Sequence, residues 1–239
     1  MKPERIQKII SNYGQFSRRQ VEDFIVKGLV KVNGETATLG DKATIDDAIT
    51  VKGNRITFKT RHDYYVLNKP KGYICAREDK MGRTAVSLID NPQKRNLFTI
   101  GRLDVGTTGL IIITSDGELA NRINSPSSKI KKTYLVWVNT LISKADQIKL
   151  QKGVTLANGY TTQPLAGFKP LSFGDNESSF KMVLTEGKQN QIKKMFQALD
   201  SEVINLKRVQ IGQMKIDSLP TGQYAKYTKE KLFQLLGIT

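Results

Sequence analysis

Four consecutive large apolar residues, Leu110-Ile111-Ile112-Ile113, set the strongest limit on how this chain can fold. A run that is apolar at every position and is closed by the turn Ser115-Asp116-Gly117 predicts a strand buried on both faces. Immediately ahead lies Gly101-Arg102-Leu103-Asp104-Val105-Gly106-Thr107-Thr108-Gly109, a loop rich in glycine and threonine with one acidic residue. Asp104 is therefore expected at the mouth of a rigid sheet, on a loop, where catalytic groups are commonly held. An aspartate capping its own turn is the ordinary alternative, so the rest of the chain has to decide between the two.

The chain of 239 residues has room for one large domain or two unequal ones. It holds no apolar stretch of about eighteen residues, so no membrane helix is expected. Met1-Lys2-Pro3-Glu4-Arg5 is followed by polar residues rather than by the apolar core of a secretory signal. Cys75 is the only cysteine, which rules out an internal disulfide and fits a cytoplasmic location. With His62 the only histidine, a Cys/His zinc site cannot be assembled, and no metal is expected. Cys–His or Ser–His–Asp catalysis would have to use His62 itself. Cys75 reads as a small buried hydrophobe on a strand from Tyr73 to Ala76.

A net charge of +16 points to a polyanion. Residues 1–60 carry 11 basic and 7 acidic side chains, and residues 61–239 carry 27 and 15, so the excess is spread over the chain. That pattern suits a folded body gripping a phosphate backbone at many points. Solubility alone asks for a net charge of magnitude about 2–8. A membrane surface is disfavoured because no basic amphipathic segment is present.

Two blocks emerge, 1–60 and 61–239. In the first, Ile6, Ile9, Ile10 and Tyr13 make one helical face that ends at Gly14. Ser17 and Gln20 form a capping box for a second helix with Val21, Phe24 and Ile25 buried and Gly28 at its end. Leu29 to Val32 alternates as a strand, Asn33-Gly34 is a hairpin turn, and Asp41 to Lys59 holds another strand pair around Asn54. Arg18 and Arg19 oppose the helix dipole at a cost of roughly 0.3–1 kcal/mol each. A helix start with two arginines is a good phosphate site, although an ordinary solvated pair would look the same. The block resembles the S4 RNA-binding module in Glu4-Arg5-Ile6-Gln7-Lys8, Ser17-Arg18-Arg19 and Gly28-Leu29-Val30-Lys31-Val32-Asn33-Gly34. The resemblance implies that Arg18 and Arg19 contact RNA.

In the second block, strands are expected at Tyr64–Leu67, Tyr73–Ala76, Lys132–Val138 and Phe180–Leu184. Asn68 to Gly72 is a turn, a polar charged loop runs to about Arg83, and helices span Glu118–Asn124 and Gln189–Leu199. Ile192, Met195, Phe196 and Leu199 share one face of the last helix. The mixed order predicts an α+β domain with a largely antiparallel sheet.

Three distant segments each offer a chemically useful group. Asp104 brings a carboxylate, Tyr134 a ring or hydroxyl on a strand, and Lys193 a cation able to pair with Asp104. Taken singly, Tyr134 reads as a core aromatic and Lys193 as a surface cation. Five ordered signatures alter that balance: Leu67-Asn68-Lys69-Pro70-Lys71-Gly72; Gly101-Arg102-Leu103-Asp104 with Thr107 and Gly109-Leu110; Ser115-Asp116-Gly117-Glu118-Leu119; Lys132-Thr133-Tyr134-Leu135-Val136; and Glu186-Gly187-Lys188 leading to Gln191-Ile192-Lys193-Lys194-Met195. In these, the chain from Tyr65 to Glu230 resembles the Rsu-type pseudouridine synthases, which isomerise a uridine in ribosomal RNA and usually carry an S4 module in front.

The resemblance implies that Asp104 is the catalytic aspartate and that Arg102 enters the RNA helix where the target base has been flipped out. It implies that Tyr134 stacks on the uracil and that Lys193 ion-pairs with Asp104. Lysine makes a point contact where the commoner arginine would make a fork. Gly106 and Asn190 depart from the usual pattern, the latter standing where arginine or histidine is frequent; one phosphate contact is expected to change with it. The reaction is an isomerisation without redox change, so no cofactor is expected, and an apolar floor including Leu184 would shield the intermediate from water. The expected partner is ribosomal RNA or a pre-ribosomal particle, handled by a monomer. Two other readings share the fold: a non-catalytic RNA-binding or ribosome-assembly protein, and a tRNA-directed synthase.

Overall fold

The computed structural model describes residues 2–13, 16–58, 61–76, 82–216 and 218–238. A short strand β1 (Glu4–Arg5) runs directly into helix α1 (Ile6–Tyr13), whose Ile6, Ile9 and Ile10 are buried. The Tyr13 side chain and Gly14, expected on that face and at its end, lie outside the described residues. Helix α2 (Arg18–Val26) starts with the predicted capping box: Gln20 N–H donates to Ser17 Oγ at 3.3 Å, and Ser17 N–H donates to Gln20 Oε1 at 2.9 Å.

Strands β2 (Val30–Val32) and β3 (Glu35–Thr36) are joined through Asn33 and Gly34, both with positive φ, as a tight hairpin turn requires. Strand β4 (Lys42–Ala43) pairs with β1, and β5 (Ile49–Val51) pairs with β6 (Asn54–Arg55). The expected second strand pair is thus present with its turn at Lys52-Gly53; Lys59 lies outside the described residues. These elements enclose their own core, from Ile6 to Phe58.

A nine-stranded sheet organises the remainder. It comprises β7 (Tyr64–Lys69), β8 (Phe98–Ile100), β9 (Thr108–Thr114), β10 (Lys132–Val138), β11 (Gly167–Phe173), β12 (Ser178–Leu184), β13 (Val203–Ile211), β14 (Met214–Lys215) and β15 (Tyr224–Tyr227). The main order is β11-β12-β10-β13-β9-β7-β15, with β14 beside β13 and β8 beside β9. Every pairing is antiparallel except β13 with β9.

Strand β9 is the expected doubly buried one. Leu110 and Ile112 pack on one face with Tyr64 and Val66, while Ile111 and Ile113 pack on the other with Tyr65 and Leu67. Each such side chain contributes about 1.5–3 kcal/mol of burial, an upper estimate given a compact unfolded chain. Helices α3 (Gly117–Asn124) and α6 (Lys229–Leu236) bury Leu119, Ile123, Leu232 and Leu236 against the first face. Helices α4 (Lys144–Lys152) and α5 (Gln191–Gln197) cover the other half of the sheet, around Val136, Phe180 and Met182.

The two halves of the sheet meet at the parallel join, which pairs only Lys207 with Thr108 and Arg208 with Gly109. Buried Arg208 adds a stitch by donating from Nε to the Leu110 carbonyl at 2.7 Å.

Asp116 connects sheet and helix. Its Oδ1 accepts from Glu118 and Leu119 N–H at 3.0 and 2.9 Å, capping α3, and its Oδ2 accepts from Tyr64 Oη at 2.8 Å. Burial, then the Asp116 carboxylate, pushes the Tyr64 hydroxyl far above its ordinary value. Asp116→Ala removes a cap and orphans a buried hydroxyl, so a loss of about 2–3 kcal/mol is expected. A urea midpoint that falls at unchanged slope measures it; an unmoved midpoint contradicts the assignment.

One expected strand is absent. Between Tyr73 and Ala76 only Ile74 forms a bridge, to Thr84. The segment folds over the aspartate loop instead, because its polar atoms are taken up locally: the Tyr73 carbonyl accepts from Lys69 Nζ, and Cys75 Sγ accepts from Leu103 N–H. Cys75 is accordingly half-buried rather than fully buried. Residues 77–81 of the expected polar loop lie outside the described residues.

Candidate active site

The loop that carries Asp104 is held from below. Its Gly101 adopts φ +69, Thr107 N–H donates to the Asp104 carbonyl at 3.0 Å, and Gly72 N–H donates to Val105 at 2.9 Å. Leu103 points into the core, fixing the loop against the sheet. Beneath it lies Lys69, a fully buried lysine whose Nζ donates to the Pro70 and Tyr73 carbonyls at 3.0 and 2.7 Å. Burial holds the Lys69 ammonium below the usual lysine range, opposed by the nearby Cys75 and Asp104. A positive charge set under the loop in this way favours an anion above it. Asn68 and Lys69, expected in the turn that follows the strand, are instead the last two residues of β7.

Across from this loop, residues 186–190 lead into α5. Glu186 is their anchor, accepting from Tyr160 Oη at 2.6 Å, from Gln163 N–H at 3.0 Å and from Gln191 Nε2. Gln191 in turn accepts from Lys188 N–H at 3.0 Å, and Lys188 sits over the Tyr160 ring, 5.0 Å from its centre. Tyr160 is pushed above its ordinary value by the hydrogen bond to Glu186. Neither Tyr160 nor Glu186 was singled out as a support from the sequence, since their contact spans 26 positions.

Between the two loops lies a cleft of ≈ 240 Å³. Arg102, Asp104, Tyr134 and Lys193, from three distant segments, all line it, and Leu184 contributes to its apolar wall. Tyr134 belongs to β10 at the seam between the two halves, packing against both of their cores. Arg102 is exposed, whereas Asp104, Tyr134 and Lys193 are half-buried. Thr107 lines the same cleft with a buried hydroxyl that has no protein partner. Arg18 and Arg19 are not part of this cleft. Both are exposed on the first turn of α2, and Arg18 borders a separate crevice with Phe98, Gly117 and Asn121.

The expected ion pair between Asp104 and Lys193 is not formed. Ion pairs among the described residues join Lys8 to Glu4, Lys27 to Asp23, Lys149 to Asp146 and Lys226 to Asp63. The carboxylate is met instead by the Asn190 amide; its nitrogen is assigned to the side facing the carboxylate, since an amide oxygen there would meet only acceptors, and so oriented it donates to Oδ1 at 3.1 Å and to Oδ2 at 2.6 Å. Each carboxylate oxygen thereby has a donor from within the protein without the lysine.

Among the described residues no group of three or more histidine, cysteine, aspartate or glutamate side chains could hold a metal, and no helix is long and apolar enough to cross a membrane.

Comparison with known proteins agrees with this architecture. The family model for RNA pseudouridylate synthase matches residues 63–198, and that for the S4 domain matches residues 4–49. "Ribosomal large subunit pseudouridine synthase B" of Bacillus subtilis is 36% identical over 233 residues, covering 97% of this chain and 95% of that protein. "Ribosomal small subunit pseudouridine synthase A" of Vibrio parahaemolyticus is 34% identical, covering 95% and 97%. A solved pseudouridylate synthase superposes with a TM-score of 0.69 at 31% identity, covering 97% of this chain and 99% of that one. A chain of an archaeal box H/ACA complex shares the fold at 15% identity, with a TM-score of 0.50 over 67% of this chain and 51% of that one. With an S4 domain ahead of a matching catalytic sheet and a cleft built around Asp104, this chain belongs to the RNA pseudouridylate synthase family.

Proposed function

We propose that this protein isomerises a specific uridine of ribosomal RNA to pseudouridine, using Asp104 on a base flipped into the cleft and requiring no cofactor. The observation that carries the reading is the convergence of Asp104, Tyr134, Arg102 and Lys193 on one cleft from segments far apart in the chain. Ribosomal RNA is favoured because the similar proteins from Bacillus subtilis and Vibrio parahaemolyticus are named for ribosomal subunits.

In this reading the C1′–N1 bond breaks, uracil turns within the cleft, and C1′ bonds to C5. The C5 proton is released and N1 ends protonated, so atoms and electrons balance without an oxidant. Asp104 supplies the negative charge that acts at the sugar, either by bonding to C1′ or by taking a C2′ proton. Tyr134 offers its ring to the uracil, and Leu184 walls off water. Arg102, exposed beside the aspartate, fills the gap left in the RNA helix when the base turns out. Lys193 lies across the cleft as a cation without a carboxylate partner, available to the backbone phosphate of the flipped nucleotide. Arg18 and Arg19 add phosphate contacts on the S4 side.

The direct test uses wild-type protein with [5-³H]uridine-labelled ribosomal RNA or pre-ribosomal particles. Stoichiometric tritium release, with one pseudouridine mapped per RNA, is the expected result. Release from labelled tRNA but from neither ribosomal substrate would transfer the activity to tRNA. Tight RNA binding with no release from any substrate would leave a scaffold protein.

A further inference from the structure

We propose that Asn190 is the positioning residue for the Asp104 carboxylate, filling with a neutral amide the place expected of a cation. The inference rests on the catalytic reading of Asp104 and extends it to a residue whose side chain need not touch RNA. Three features of Asn190 agree, the third following from the second.

With its nitrogen facing the carboxylate, the orientation in which both groups are satisfied, the amide reaches both oxygens, at 3.1 and 2.6 Å, so it fixes the rotation of the carboxylate as well as its place. Its backbone is left-handed, φ 54 and ψ 27, a conformation that asparagine tolerates better than other side chains bearing a Cβ. Finally, it stands at the N-cap of α5 yet makes no side-chain capping bond there. Asparagine is among the best capping residues, but the role needs an extended backbone. At position 190 the chain gives up that bond and directs the amide across the cleft.

The supports of the turn are consistent with this use. Glu186, through Tyr160, Gln163 and Gln191, holds the segment that precedes Asn190. The amide is therefore presented from a fixed backbone rather than from a free loop. On the opposite side Gly101, Gly72 and Thr107 fix the loop that carries Asp104. A hydrogen-bonded bridge between two held loops sets the carboxylate's direction before RNA arrives, which is where positional accuracy has its largest effect on rate. The bridge also explains why Lys193, one turn further along α5, can leave the carboxylate for RNA.

Two full-length variants test the proposal, each assayed by single-turnover tritium release and by RNA binding. Asn190→Gly keeps the left-handed backbone without strain and deletes the amide. Its catalytic rate constant is expected to fall about 10–100-fold, with KM within about threefold of wild type and thermal stability not lowered. Asn190→Asp keeps shape and size but replaces the donor with a second anion, and is expected to lose at least as much. Wild-type turnover in either variant overturns the proposal, as does a defect confined to KM, which would make Asn190 an RNA contact. Asp104→Asn is run alongside. If it too keeps full activity, the catalytic reading itself has failed; if it is silent while Asn190→Gly is fully active, only the positioning role falls.

Discussion

Asp104→Asn is expected to abolish tritium release while leaving RNA affinity close to wild type. The substitution preserves size and shape, and the loop that carries it is held by backbone contacts at Gly72, Leu103 and Thr107 that do not use the carboxylate. What is lost is the charge that, in the proposed reaction, acts on the sugar, a step for which no other carboxylate of the cleft is free. Glu186 is the other acidic residue lining the cleft, and its oxygens are taken by Tyr160, Gln163 and Gln191. A fall of at least about 10³-fold in rate is the scale for a group that acts on the reacting atoms. Asparagine at 104 leaves the Asn190 amide one acceptor oxygen in place of two, so a less firmly directed side chain adds to the defect. Equilibrium binding should hardly respond, because the arginines and lysines that meet phosphate are untouched. Residual turnover within tenfold of wild type would remove Asp104 from the chemistry.

The largest effect on stability is expected from Gly109→Ala. Gly109 opens into β9 with φ +102, and a Cβ there would stand 2.2 Å from the Arg208 carbonyl oxygen and 2.9 Å from that residue's backbone nitrogen and carbon. These are backbone atoms of the neighbouring strand, so relief requires the parallel join itself to part. Overpacking costs about 1–3 kcal/mol and a left-handed non-glycine backbone about 1–2 kcal/mol more, giving a total of about 2–5 kcal/mol. Chemical denaturation of the full chain, followed by the tryptophan on β10, reads this as a lower midpoint. Activity should fall further than the folded fraction predicts, since residue 109 is only five positions from Asp104. An unchanged midpoint would show that the join has slack that its close contact denies.

Much of this architecture could be read from residues alone, where one local rule sufficed. The uninterrupted Leu110–Ile113 run becomes the strand buried on both faces, the Ser17/Gln20 box starts α2, and Asn33-Gly34 turns the first hairpin. Elements with faint periodicity were not visible. Helix α4 buries only Leu150, and β11 is an exposed edge strand containing Pro170. Strand β13 runs through the middle of the sheet with Lys207 and buried Arg208 at its centre, which breaks any apolar pattern. The four residues expected to converge on one site do line one cleft, but the partner of Asp104 does not follow from residue type. A lysine at 193 predicts an ion pair. The asparagine that takes its place depends on a left-handed backbone at 190, and sequence pattern carries little information about that angle. The strand misassigned at Tyr73–Ala76 has a similar origin, because the buried Lys69 ammonium that diverts it cannot be told from a surface lysine in the sequence.

The parallel join has a bearing on how the molecule is made. It brings Thr108 and Gly109 against Lys207 and Arg208, about a hundred positions later, whereas most other neighbours in the sheet are closer along the chain. Of the sheet's other pairings, β7 with β15 spans more of the chain still, and contacts of such range carry a larger loop-closure cost than the nearer ones. The cleft lies at that junction, so the groups that line it come together only once both halves of the sheet are joined. Parting of the two halves would take the cleft apart even where each kept its own strands and helices.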